Sequence, residues 1–306
     1  MENRIAIEQN RPERIVLLRA QRRFYGRAKV LQTAFTVLAL TLPAIGVFVG
    51  PSVPVVRPYV ALISIALLLF EVGYFTQKLR ELTRSAAKSQ EQFDTEVLKL
   101  EWSRLAAGSK VDIEDIRDIG AKPFDSKTEG ELPDWYEPSV ASLPIGQARI
   151  ICQRTNITYD ARIRKKYADC MLFGLFGLGL LLLVAGLVQD RKFESVLLNM
   201  LVPFLPIATF GCREYRKQKD TIETLNTLKS EADKLWEKAL KQTPVAELTA
   251  DSRGLQDAIY RHRSSSPLIY DWVYKRLRGR NEDVASASAK QLVSDALRSM
   301  EAQRTA

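Results

Sequence analysis

Residues 169–190 read DCMLFGLFGLGLLLLVAGLVQD, with an aspartate at each end and no charge between them. A helix crossing the roughly 30 Å hydrocarbon core of a bilayer needs about 20 such residues. Working outward, the chain repeats the pattern between Glu194 and Arg213, and earlier between Lys29 and Arg57 and between Arg57 and Lys78. Only Glu71 breaks these four windows. Water solvates surfaces of that kind poorly, so the reading is an integral membrane protein rather than a soluble enzyme with a large core.

The rest of the 306 residues is highly charged, with a net charge of +9 and only 8% aromatic residues. A polytopic transporter would be apolar throughout, whereas most of this chain lies outside the windows. Cys152, Cys170 and Cys212 are widely spaced, and His262 is the lone histidine. A structural zinc site needs about four clustered ligands, so neither zinc nor a disulfide is expected. The basic region before Val30 is too long for a signal peptide, and Val30–Val49 reads as a retained anchor.

Lys and Arg mark the cytoplasmic flanks of membrane helices. Arg11, Arg14, Arg19, Arg22, Arg23, Arg27 and Lys29 precede the first window, and Lys78, Arg80, Arg84 and Lys88 follow the second. Arg162, Arg164, Lys165 and Lys166 precede the third, and Arg213, Arg216, Lys217 and Lys219 follow the fourth. The opposite ends hold Arg57 alone, or Asp190, Arg191, Lys192 and Glu194, which cancel. Both termini and the long middle segment are therefore expected on the cytosolic side. The basic residues sit where anionic headgroups attract them, by about 1 kcal/mol each. From Glu91 to Glu137 acidic residues outnumber basic ones, which argues against a nucleic-acid polymer as partner.

The expected fold is an all-α membrane protein, with four transmembrane helices arranged as two hairpins. Residues 1–29 form a basic leading helix, and 30–76 the first hairpin, with spans near 30–49 and 58–76. Residues 77–168 form a cytosolic stalk and a loop-rich segment. Residues 169–212 form the second hairpin, with spans near 170–188 and 195–212, and 213–306 a second stalk and a C-terminal helical segment. Leu79, Leu82, Ala86, Phe93, Val97 and Leu100 recur at helical spacings in the first stalk, as do Ile222, Leu225, Ala232, Leu235 and Leu240 in the second. Such stripes must be buried, within the chain or between copies. Prolines and glycines between Val111 and Ile150 mark turns, and Ser264–Pro267 interrupts a helical unit spanning Leu255–Arg278. The halves share one orientation, unlike the inverted repeats of many transporters.

Several residues are candidates for chemistry. Glu71 lies in the second span, where a carboxylate either lines a pore or pairs with Lys29 or Arg213. Pro203 and Pro206 loosen the fourth span and Asn199 can bond across helices; packing and a gating hinge are the two readings. Arg154, Asn156, Tyr159, Asp160, Arg162 and Arg164 form a polar strip before the third span. Arg forks suit phosphate and a Tyr face stacks on a base, although positive-inside anchoring also explains the strip. A second strip holds Arg261, His262, Arg263, Asp271, Trp272, Tyr274, Lys275, Arg276 and Arg278, suited to an anionic ligand, to the membrane surface or to packing on the stalks. One histidine and no Gly-rich phosphate loop leave little for an active site, so the chain is not expected to be an enzyme.

Three motifs carry a family resemblance. Arg154-Thr155-Asn156-Ile157-Thr158-Tyr159-Asp160, Leu255-Gln256-Asp257-Ala258-Ile259-Tyr260, and Pro267 followed by Asp271-Trp272-Val273-Tyr274 resemble the SMODS-associated four-transmembrane effector family. Gln9-Asn10 and Arg19-Ala20-Gln21 fit the same pattern, and the resemblance covers nearly the whole chain. Where a proline often precedes the aspartate in that family, this chain has Tyr270 before Asp271. The resemblance implies an effector of bacterial cyclic-oligonucleotide antiphage signalling (CBASS) at the inner membrane, activated by the product of a partner nucleotidyltransferase and disrupting or perforating the bilayer, as a homo-oligomer. On that reading a cyclic oligonucleotide is the activating ligand, with no cofactor or metal. Arg154, Asn156, Tyr159, Arg162, Arg263, Trp272, Tyr274 and Arg278 are the candidates to bind it. Glu71, Asn199, Pro203 and Pro206 are the candidates for the pore or gate. The rival expectation is a membrane-anchored sensor or scaffold that does not conduct.

Overall fold

A computed structural model describes residues 2–48, 53, 55–188, 194, 197, 202–241 and 243–305. Every regular element among them is helical. In chain order the α-helices are α1 (Ile5–Glu8), α2 (Pro12–Phe48), α3 (Val56–Phe70), α4 (Thr76–Val97), α5 (Arg104–Ala107), α6 (Ile113–Gly120), α7 (Ser126–Glu129), α8 (Ile145–Val188), α9 (Val202–Ala239), α10 (Val245–Ser265) and α11 (Asp271–Thr305). A π-helical turn, Glu71–Phe75, joins α3 to α4, and a 3₁₀ turn, Pro138–Ser142, precedes α8.

Two helical stretches, Pro58–Val97 and Ile145–Ala185, are long and apolar enough to cross a membrane. The expectation was four spans. The first expected span includes residue 49 and the side chains of 43, 44 and 46–48, and the fourth includes 195–196 and 198–201; these lie outside the described residues, and two is the number among those described. In each qualifying stretch the apolar part is the expected span, near 58–76 and 170–188, and the remainder is polar. Leu69, Val72, Phe173 and Phe176 expose 68%, 76%, 75% and 71% of their surface. A water-soluble helix would bury that face against protein; a lipid-facing helix need not.

The chain divides into two compact units. One comprises Ala28–Leu79 and Arg164–Asp220. Several of its described hydroxyls bond to carbonyls of their own helix, the arrangement that an apolar surrounding favours. The Thr33 and Thr41 hydroxyls donate to the carbonyls of Lys29 (2.7 Å) and Val37 (2.8 Å). Thr76 donates to the Glu71 carbonyl at 3.0 Å, five residues back, beside the π turn. Phe35 stacks on Phe75 with centroids 4.1 Å apart. Between α8 and α9 a Cβ on Gly211 would sit 2.5 Å from Leu175 Cδ1, so a larger residue there would force the Leu175 side chain to move. Gly179 faces Phe204 at 3.4 Å, whereas Gly174 and Gly177 meet nothing. Arg164 donates to Gln218 (2.9 Å), which donates to Glu214 (3.4 Å).

The other unit comprises Met1–Arg27, Arg80–Ile163 and Thr221–Ala306. Within this one chain the first stripe is buried from Leu82 to Leu100, and the second buries Ile222, Leu225 and Ala232 and half-buries Leu235 and Leu240. Ile157 of α8, Leu225 and Ala232 of α9, and Leu255 and Ile259 of α10 form one core cluster. Ala87 of α4 packs with Ala107 and with Tyr260 of α10. Helix α10 therefore serves both stalks, and its apolar residues recur every three or four positions to do so. It ends at Ser265, because Pro267 disfavours helix in the residue before it and Ser266 turns back to the His262 carbonyl, its hydroxyl at 2.7 Å. The expected helix near Glu282–Met300 is part of the continuous α11.

Candidate functional site

The polar interior of the second unit begins on α4. Glu91 and Asp94, three residues apart, lie on the same side of the helix and are 1% and 0% exposed. Facing them, Arg253, Gln256 and Arg263 line one side of α10. Arg263 Nη1 donates to Asp94 Oδ2 at 2.9 Å, and Arg253 Nη2 to Glu91 Oε1 at 2.7 Å. The Gln256 amide donates to both carboxylates, at 2.7 Å to Glu91 and 3.2 Å to Asp94. The Tyr136 hydroxyl donates to Asp94 Oδ1 at 2.7 Å, and Asn156 of α8 donates to that hydroxyl at 3.3 Å. Gln153 donates to Gln256 at 3.0 Å and to the Ser252 carbonyl at 2.8 Å.

Burying charge this deeply is costly unless each ion keeps partners. Desolvation is the largest influence on Glu91 and, with the charge of Asp94, raises its pKa to about 7 against the pull of Arg253 and Gln256. Burial works against the Arg263 charge, but Asp94 and Glu91 outweigh it and hold the guanidinium ionised. Burial, then Asp94, pushes the Tyr136 phenol and the Cys152 thiol well above their ordinary values. Cys152 is consequently a neutral, inert thiol.

A second buried cation holds a turn. Lys99 takes a left-handed φ of 54° just after α4. Arg149, fully buried, donates to the carbonyls of Leu98 (2.5 Å) and Lys99 (2.7 Å) and to Thr249 Oγ1 (2.7 Å). Gln9 clamps Tyr136 through its backbone in both directions, at 2.7 and 3.1 Å.

The residues proposed from sequence as ligand-binding fall into three groups. Asn156 and Arg263 are joined through Tyr136 and Asp94 inside the cluster. The Tyr159 and Tyr274 hydroxyls meet at 3.4 Å. Arg154 pairs with Asp233 of α9 at 2.5 Å, Arg162 is exposed, and Trp272 is 72% exposed. The Arg278 side chain lies outside the described residues, although its backbone is helical. Of the proposed gating residues, Glu71 is half-buried and opens the π turn. The backbones of Pro203 and Pro206 are helical but their side chains, and all of Asn199, lie outside the described residues.

His262 contacts Asp160 Oδ2 at 3.3 Å and Ser266 Oγ at 3.1 Å. Both partners approach the same ring nitrogen, Nε2, whereas a serine–histidine–carboxylate relay needs them on opposite nitrogens. Among the described residues no cluster of His, Cys, Asp and Glu could hold a metal ion.

Glu91, Asp94, Arg149 and Arg253 escaped notice in the sequence. Charged residues on an amphipathic helix read as its solvated side, and only long-range partners reveal otherwise. The available signal was position: Glu91 and Asp94 fall among Ala87, Gln90 and Phe93 on the face that carries the apolar stripe.

One unit with exposed apolar helices and another that is a polar-cored helical bundle define a class: helical membrane proteins with a substantial extramembrane portion. Within it, this chain belongs to the SMODS-associating 4TM effector domain family, whose pattern it matches over residues 3–292. It is similar to a probable CBASS effector molecule of Bacillus cereus (strain VD146), with 27% identity over 282 residues, covering 87% of this chain and 90% of that protein. No solved structure matches.

Proposed function

We propose that this protein is a CBASS effector that breaches the bacterial inner membrane when a cyclic nucleotide binds its polar-cored unit. The observation that carries the reading is the exposure of large apolar side chains along the two qualifying helices, Phe173, Phe176, Leu69 and Val72 among them. Family membership supports four spans in two hairpins, and the basic flanks support both termini and the middle segment inside. The half-buried Glu71, in a π turn of the kind that often marks functional positions, is the carboxylate best suited to a cation path between copies. The protein is not an enzyme on this reading, and its functional partner is a nucleotidyltransferase.

Ligand can drive opening only by binding the open state more tightly. A closed cluster, with Glu91 and Asp94 held by Arg253, Arg263, Gln256 and Tyr136, provides the resting state from which that difference is measured. The test is dye release from liposomes carrying the full chain, with and without a panel of cyclic di- and trinucleotides. Release with one nucleotide only is the expected result. Tight nucleotide binding with no release would identify a sensor or scaffold that does not conduct, and would overturn the pore.

A further inference from the structure

Helix α2 carries Arg19, Arg22 and Arg23 on one side, at i, i+3 and i+4. All three are engaged by one short segment within the same unit. Arg19 Nε donates to Glu129 Oε1 at 2.7 Å, and its Nη2 reaches the same oxygen. Arg22 donates to Glu131 Oε2 and to the Thr128 carbonyl, each at 3.0 Å. Arg23 donates to the carbonyls of Ile119, Lys122 and Pro123 and lies 4.5 Å from the centroid of the Phe124 ring. At the start of the segment a Cβ on Gly120 would fall 2.7 Å from the Val16 carbonyl oxygen, so the backbone lies directly on α2.

What holds this segment down is unusual in kind. From Ala121 to Glu131 no residue is buried; the buried neighbours are Gly120 on one side and Leu132 on the other. The segment is anchored at both ends and fastened between them by polar bonds to three guanidiniums, with half-buried Phe124 its main apolar contact. Segments with few buried apolar contacts open at low cost. Bonds between Arg and carboxylate are also the kind a phosphate replaces well, because the guanidinium fork fits either anion. Hydrogen bonding from Arg19 holds the Glu129 carboxyl below its ordinary range, so the cover stays charged and is displaced by a competing anion rather than by mild acid.

We propose that Arg19, Arg22 and Arg23 form a phosphate-binding face, closed in this structure by the Ala121–Glu131 segment, whose Glu129 and Glu131 carboxylates stand where phosphate oxygens would bind. The segment is an intramolecular competitor that a phosphate-bearing ligand must displace. None of these arginines belongs to the strips proposed from sequence as ligand-binding. Two sources offer the same chemistry: a small phosphate compound in solution, or the headgroup of an anionic lipid. The inference does not depend on pore formation, and a failed leakage assay would leave it standing.

The experiment is hydrogen–deuterium exchange on the full chain in nanodiscs. One arm adds inorganic pyrophosphate to phosphatidylcholine discs; the other replaces the lipid with phosphatidylglycerol. Exchange across Ala121–Glu131 should rise in one arm or both, by about tenfold, and the arm that responds identifies the source. Glu129→Gln with Glu131→Gln removes the internal competitor and should tighten pyrophosphate or phosphatidylglycerol binding by about tenfold or more. Reversing one pair, Arg19→Glu with Glu129→Arg, keeps the cover fastened, so loss of binding there cannot be blamed on misfolding. A segment whose exchange ignores both arms, in a protein whose Glu129→Gln/Glu131→Gln variant binds neither probe more tightly, would reduce the contact to a structural brace and overturn the proposal.

Discussion

Arg263 was a ligand candidate from its sequence neighbourhood, yet its guanidinium bonds to a carboxylate that is wholly buried. Replacing it in Arg263→Met keeps most of the side-chain volume and removes the charge. Asp94 would then be a buried anion that keeps, among the described side chains, Tyr136 and Gln256 as donors. Removing one partner of a buried pair costs about 3–5 kcal/mol. The two remaining donors place the expected loss at the low end, about 3 kcal/mol, which is more than a hundredfold in the folded-to-unfolded ratio. For a domain of this size that lowers the midpoint by about 6–12 °C. Thermal unfolding of the full chain in detergent, followed by circular dichroism, reads it directly. Asp94→Leu in the same background should recover part of the loss, since the pair is then absent rather than broken, and a double-mutant cycle isolates the coupling. An unchanged midpoint in Arg263→Met, with nucleotide binding abolished, would refute the structural assignment and return Arg263 to the ligand site.

Other perturbations test other links. The pKa of Glu91 is raised from 4.5 to about 7, so between those values the folded protein holds a proton the unfolded chain has released. That contribution to stability is complete below pH 4.5 and is lost as pH rises to about 7, at no more than about 1.4 kcal/mol per pH unit. Glu91→Gln should flatten this part of the profile in urea titrations at pH 5 and pH 7.5; an unaltered slope would mean that Glu91 ionises freely. Gly211→Val places side-chain atoms where Leu175 lies and should lower the thermal midpoint through an overpacking cost of about 1–3 kcal/mol, whereas Gly174→Ala, which meets nothing in a helix interior, should hold or raise it. Equal effects from the two glycine substitutions would contradict the packing of α8 on α9.

Solvent acts on composition residue by residue, so the membrane reading needed no tertiary information. A charge-free run such as 170–188 dictates its surroundings because no arrangement of its own backbone can make it water-soluble. The stalk stripes were readable for the same reason: a period near 3.6 specifies a face that must be covered, and the structure covers both within one chain. The break between α10 and α11 was visible in Pro267, because the constraint is local. What sequence could not decide was which polar residues face inward. Arg154, Asn156 and Arg263 have the same donors whether they meet a nucleotide or a carboxylate, and the choice depends on partners far along the chain, such as Asp94 for Arg263. Glu91 and Asp94 looked like solvated charge until α10 was laid against them. The apolar windows and the helix breaks were thus determined by local chemistry, while the polar core and the covered arginine face of α2 were decided by tertiary contacts, because a hydrogen bond has no meaning until both of its ends have a place.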